Sequence, residues 1–148
     1  MAFAVFTTWT TYGTWLRGDT RGWHRPGFGA QAADPPRAAA NELQMSGDAV
    51  VLTDEQRSVV EATVVEHCGI RGWLLHAVNC RTNHVHVVVS AADARIEVPR
   101  EQFKAWCTRK LKAGTPSRAN WWTDRGWDEY IDDDDSLAAV IEYVRDRQ

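Results

Sequence analysis

Asn83-His84-Val85-His86-Val87-Val88-Val89 is the stretch that decides the fold. A β-strand sends successive side chains to opposite faces, so this run sets His84 and His86 on one face and Val85, Val87 and Val89 on the other. The valine face calls for a packed core. Two imidazoles on one face of a rigid strand form half of a metal site. A His-x-His pair also occurs as two polar residues on a half-exposed sheet, so the pair alone leaves both readings open.

Working outward, Trp73 to Asn79 reads as a strand, and Thr82-Asn83 makes a tight turn into His84–Ser90. The two strands form a hairpin with the histidine strand central in the sheet. Upstream, Thr53-Asp54-Glu55-Gln56 is a capping box that starts a helix running to about Cys68, with Val60, Val64 and Val65 facing the core and Gly69 as the stop. Residues 3–11 are aromatic and β-branched and read as the first strand. Downstream, residues 98–112 read as a helix with Pro99 in its first turn and Phe103, Trp106, Cys107 and Leu111 on an apolar stripe. Trp121 to Ile131 reads as a further strand or irregular hairpin. Asp132-Asp133-Asp134-Asp135 then caps a last helix from about Ser136, since carboxylates complement a helix N-terminus. From about residue 12 to 49, glycines interleave with Trp15, Trp23, Arg17, Arg21 and Arg25, a long loop suited to contacting nucleic acid. The order strand, loop, helix, hairpin, helix, strand, helix predicts a single α+β domain over residues 1–148, a ferredoxin-like sandwich of antiparallel sheet and helices.

The composition bounds the function. With 44% hydrophobic and 25% charged residues, the chain builds a core and is not disordered. No stretch approaches the roughly 20 apolar residues that cross a bilayer. The opening residues read as a strand, not a signal peptide, and the three cysteines, with no CxxC spacing, fit buried free thiols in a cytoplasmic protein. A net charge of −3 argues against a protein that coats nucleic acid non-specifically, but it leaves room for a local basic groove. The most basic stretch is the helix at 98–112. Arg100, Lys104, Arg109 and Lys110 on it are candidate DNA-backbone contacts, and Trp15, Trp23 and Trp122 are candidate base-stacking platforms. Trp9 and Trp73, on strands, are expected in the core.

The 83–89 segment resembles the histidine–hydrophobic–histidine (HUH) signature of single-tyrosine transposases, with Thr82 where that family commonly has proline. A second match lies near the C-terminus, where Leu137-Ala138-Ala139-Val140-Ile141-Glu142-Tyr143-Val144 resembles the family's tyrosine-bearing helix. REP-associated tyrosine transposases are the nearest in pattern. The opening Trp9-Thr10-Thr11-Tyr12-Gly13-Thr14-Trp15 is also similar to a branch of them. The resemblance implies an HUH-type endonuclease fold and metal-dependent cleavage and strand transfer of single-stranded or hairpin DNA. It implies Tyr143 as the nucleophile, with a 5′-phosphotyrosine intermediate, and His84 and His86 as ligands of Mg²⁺ or Mn²⁺. Tyr12 and Tyr130 are the rival tyrosines. A phenol with an ordinary pKa near 10 is a weak nucleophile at neutral pH, which is why the chemistry needs such an ion.

The family adds a third polar ligand one turn beyond the tyrosine, and here the chain departs from it. Arg147 stands four residues on. Asp146, three on, is about 60° from Tyr143 in an ideal helix, and Gln148, five on, is about 140° away. Asp146 and Gln148 remain the two candidate third ligands. Monomer and homodimer are both compatible with the resemblance, and the alternative function is a catalytically inactive DNA-binding protein that keeps the fold.

Overall fold

Strand His84–Ser90 is apolar on both sides except for its two imidazoles and the terminal Ser90, and the fold is built around it. In the computed structural model, which describes residues 3–13, 23–25, 29–31, 49–92 and 94–147, the element order is β1 (Ala4–Thr10), β2 (Trp23–Arg25), β3 (Gly29–Gln31), α1 (Asp54–Arg71), β4 (Leu74–Cys80), β5 (His84–Ser90), α2 (Val98–Gly114), β6 (Trp127–Ile131) and α3 (Asp134–Glu142). The last helix continues without a break into a π-helical turn, Tyr143–Arg147. Four strands form one antiparallel sheet in the order β4-β5-β1-β6, so the histidine strand is central as expected. β2 and β3 pair with each other inside the segment read as a loop, whose remaining residues lie outside those described.

The sheet has a core on each face. Val85, Val87, Val89 and Trp9 pack against Val60, Val64 and Cys68 of α1 and Phe103, Cys107 and Leu111 of α2. On the other face Val88, Phe6, Ala4, Ala77 and Ile131 pack against Leu137 and Val144, which follow β6 in the chain. The register is fixed by this two-sidedness. A slip of one residue in β5 would drive both histidines into the α1/α2 core and turn three valines out of it. Each of those valines is fully buried, and burial of a valine is worth about 1.5–3 kcal/mol.

Local sequence sets the ends of the elements. Thr53 Oγ1 accepts from the Gln56 amide and Gln56 Oε1 from the Thr53 amide, the capping box predicted for α1. The helix runs past Gly69 and stops at Gly72, whose φ of 72° is open to glycine at little cost. Val65 is exposed because the apolar stripe of α1 follows Val60 and Val64 around the helix, not their neighbour. Trp106 likewise leaves the predicted stripe of α2 and lies half-exposed under the Arg109 guanidinium. Asp133 caps α3 by accepting from the amide and hydroxyl of Ser136, so the acidic run serves the helix, which starts two residues before the predicted Ser136. Cys68, Cys80 and Cys107 are free and buried, and burial raises the pKa of each thiol.

β6 is tied to the sheet and to α2 by a polar knot. Arg100 grips the Asp128 carboxylate with Nε and Nη2 at 3.0 Å, and Thr7 Oγ1 donates to the same carboxylate. Removing one partner of so shielded a pair strands a charge, at a cost of about 3–5 kcal/mol. Gly126 lets the backbone enter the knot, because a Cβ there would meet Arg100 Cδ at 2.5 Å and the Thr8 carbonyl oxygen at 2.6 Å. Gly126→Ala should therefore lower stability by about 1–3 kcal/mol in urea unfolding, an overpacking cost that an open loop glycine would not incur.

Candidate active site

Antiparallel register lines up one row of side chains across the outer face of the sheet. Asn79 of β4 lies opposite His86, His86 opposite Thr8 of β1, and Thr8 opposite Trp127 of β6. His84, two residues before His86, stands next to it on the same face with ring centroids 4.9 Å apart. The shared face predicted from alternation is therefore present. Neighbours then orient both rings. His84 Nδ1 lies 2.7 Å from Asn83 Oδ1, an oxygen that only accepts, so this nitrogen carries a proton, and in the neutral ring the lone pair is on Nε2. His86 Nδ1 lies 2.7 Å from Thr8 Oγ1, which accepts in the tautomer that puts the lone pair on Nε2. His86 is buried, and this burial, with His84 beside it, lowers its pKa from 6.5 to about 4, so the ring is neutral at physiological pH.

Tyr143 closes over this face. Its ring lies edge-on to His86 at 5.8 Å and to Phe6 at 6.3 Å, while Phe6 also touches His86 and Trp127. The tyrosine is itself half-exposed, so it meets both His86 and solvent. The two rival tyrosines are elsewhere. Tyr12 packs against the α1/α2 core, and Tyr130 alternates with Trp127 and Ile131, which places it on the opposite face of β6. The residue after Tyr143 anchors the turn twice. The Val144 side chain is fully buried, and its carbonyl accepts a hydrogen bond of 2.9 Å from Asn79 Nδ2.

Other predicted site residues are placed differently. Asp146 is exposed, and among the described residues no group of three His, Cys, Asp or Glu side chains could hold a metal ion, so Asp146 does not complete the pair. The helix changes to i→i+5 bonding at Tyr143, so the angles of an ideal α-helix no longer say which residue shares its face. Gln148 lies outside the described residues. All four basic candidates are on α2, which packs behind the sheet on the valine face. Arg100 is held by Asp128, and Lys104 donates from Nζ to the carbonyls of Thr123 and Arg125, with burial foremost in lowering its pKa to about 8. Both serve the fold. Arg109 lies over Trp106, and Lys110 stands 4.0 Å from Glu66. Trp122 spends its indole N–H on Thr108 Oγ1 and packs against Trp9, while Trp9 is in the core as predicted and Trp73 packs partly buried against it. Trp15 lies outside the described residues, as does the side chain of Trp23. Sequence reasoning missed Thr8, Asn79, Phe6 and Trp127 because strand pairing brings them to the histidines. Asn83 adjoins His84 and was in view from the start.

No protein-family model matches the chain, and no curated protein matches it. Solved structures share its fold. A REP-associated tyrosine transposase bound to a REP hairpin superposes with a TM-score of 0.57 at 11% identity, over 95% of this chain and 63% of that one. The chain thus spans under two thirds of the length of that protein. A “putative transposase” from Deinococcus radiodurans R1 superposes with a TM-score of 0.58 at 12% identity, over 100% of this chain and 92% of the other. At these identities the likeness carries the α+β fold, and it agrees with the resemblance read from the two sequence motifs.

The neutral state of His86 has a thermodynamic consequence. The unfolded chain binds this proton near pH 6.5 and the folded chain only near 4, so unfolding takes up a proton between those values. Its contribution is complete above about pH 6.5 and is lost as pH falls towards 4. An NMR titration should give a His86 midpoint near 4, and His86→Gln should flatten the decline of unfolding free energy over that window. A midpoint near 6.5 would contradict the burial.

Proposed function

We propose that this chain cleaves and rejoins single-stranded or hairpin DNA with Tyr143 as nucleophile and with a divalent ion held by His84 and His86. The observation that carries this reading is the packing of Tyr143 against His86, on the one face of the sheet where two imidazoles stand side by side. Hairpin DNA is the substrate class because a structure of the same fold was solved with a REP hairpin.

The donors fit such an ion. Both rings have a tautomer with an Nε2 lone pair, both Nδ1 atoms have an oxygen partner, and burial keeps His86 uncharged. Imidazole donors favour Mn²⁺ over Mg²⁺, which prefers oxygen. When bound, the ion withdraws charge from a non-bridging phosphate oxygen. Tyr143 supplies the covalent chemistry. Its phenolic oxygen gives up its proton to solvent and forms a bond to phosphorus while the bond from phosphorus to the 3′-oxygen breaks. The 3′-oxygen leaves as a hydroxyl after taking up a proton, and the 5′-phosphate stays esterified to Tyr143. Attack by a second 3′-hydroxyl reverses these steps and frees the tyrosine. The contact between Tyr143 and His86 of one chain supports use of the tyrosine within a single subunit. A non-catalytic DNA binder is the second reading, favoured by the lack of a third acidic or imidazole group beside the histidines among the described residues.

Incubation of the protein with labelled single-stranded hairpin oligonucleotides and Mn²⁺ should give a covalent adduct that survives denaturation. Tyr143→Phe should abolish it, and His84→Ala or chelation of the ion should lower its rate by about a hundredfold or more. Adducts retained in Tyr143→Phe would overturn the assignment, and binding with no adduct from the unaltered chain would favour the second reading.

A further inference from the structure

We infer that Asn79 is a positioning residue for Tyr143. The inference rests on the nuclease reading and deepens it. Asn79 lies on β4 directly across from His86, so its side chain shares the face that carries the imidazoles. From there Nδ2 donates a 2.9 Å hydrogen bond to the carbonyl of Val144, the residue next to Tyr143. A carbonyl only accepts, so the bond requires the amide nitrogen, and no carboxylate can replace it. The bond therefore links the nucleophile's backbone to the strand partner of His86.

The surroundings make this bond a geometric control and not a general contribution to stability. The Val144 side chain fills the outer core and fixes how deep the turn sits. Depth alone leaves the turn free to rotate about, or slide along, the helix axis. The Asn79 bond removes that freedom, because it pulls the carbonyl towards β4 at the level of His86. The bond spans the place where the helix changes from α to π geometry, where Tyr143 N–H still bonds back to Ala139 and Val140 while the following residues adopt the wider turn. Tyr143 thus stands between one constraint from α3 and another from β4. An error of about 1 Å in reacting atoms costs on the order of a hundredfold in rate, so one hydrogen bond at this position has leverage on chemistry without touching substrate.

The test compares Asn79→Asp, which keeps the shape but cannot donate, with Asn79→Ala and the unaltered chain. Two quantities are read: the nuclear Overhauser contacts between the Tyr143 and His86 rings, and single-turnover adduct formation on a hairpin oligonucleotide with Mn²⁺. Both variants should lose the ring contacts, and adduct formation should slow by about ten- to a hundredfold while oligonucleotide affinity changes by less than about threefold. Ring contacts and rates unchanged in both variants would overturn the inference, as would an equal loss of affinity and rate. If one variant fails to fold, the other decides. Loss of ring contacts in a system where the unaltered chain forms no adduct would uphold the positioning role and refute the nuclease reading.

Discussion

The pairing of β1 with β5 in the middle of the sheet is the constraint on which the rest depends. It sets Thr8 against His86 and Trp9 against Val85, so one registration fixes a polar contact on the outer face and an apolar contact on the inner. Every flanking element then follows. β4 joins the free side of β5 and brings Asn79 level with His86. β6 joins the free side of β1 and brings Trp127 level with Thr8. α3 follows β6 after a few residues and has only the outer face left to cover, because α1 and α2 occupy the other. The position of Tyr143 over the histidines is thus a result of strand order and connection length.

The two faces solve different problems. The inner face is sealed by apolar side chains and by two long helices, and the charges of Arg100, Asp128 and Lys104 are bound inside the protein. The outer face mixes apolar packing with groups that keep chemical capacity. Phe6 and Val88 hold the helix, while His84 and Tyr143 stand at the edge of the apolar cluster, within reach of solvent, with the buried His86 against both. Burial is sufficient to keep His86 neutral and insufficient to close the site. A pair of imidazoles deeper in the sheet would be inaccessible to a phosphate, and a pair fully in water would be protonated at mildly acid pH.

Much of this was legible in the residues because period-two alternation is strict. Val85, Val87 and Val89 against His84 and His86 define the central strand, and Thr53 with Gln56 marks a helix start that needs no tertiary context. What stayed hidden depends on long-range pairing or on a change of helix type. The Thr8 and Asn79 contacts with the site join residues 78 and 65 positions apart, and local pattern carries no record of such distances. Asp146 looked suitable as a ligand only if the helix stayed α-helical past Tyr143. The basic residues of α2 read as a DNA-facing set because sequence shows charge and not its partners. Asp128, which neutralises Arg100, is 28 residues away in the chain.

The two-core arrangement distributes stability unevenly. Among the described residues the inner cluster joins fourteen buried residues and the outer one seven, of which Leu137 and Val144 come from the last helix and its turn. Val140 and Ile141 add partly buried contacts from the same helix, and segments with few buried apolar side chains are those from which local opening is drawn. The tyrosine ring beside the imidazoles therefore rides on a segment anchored by the smaller of the two clusters.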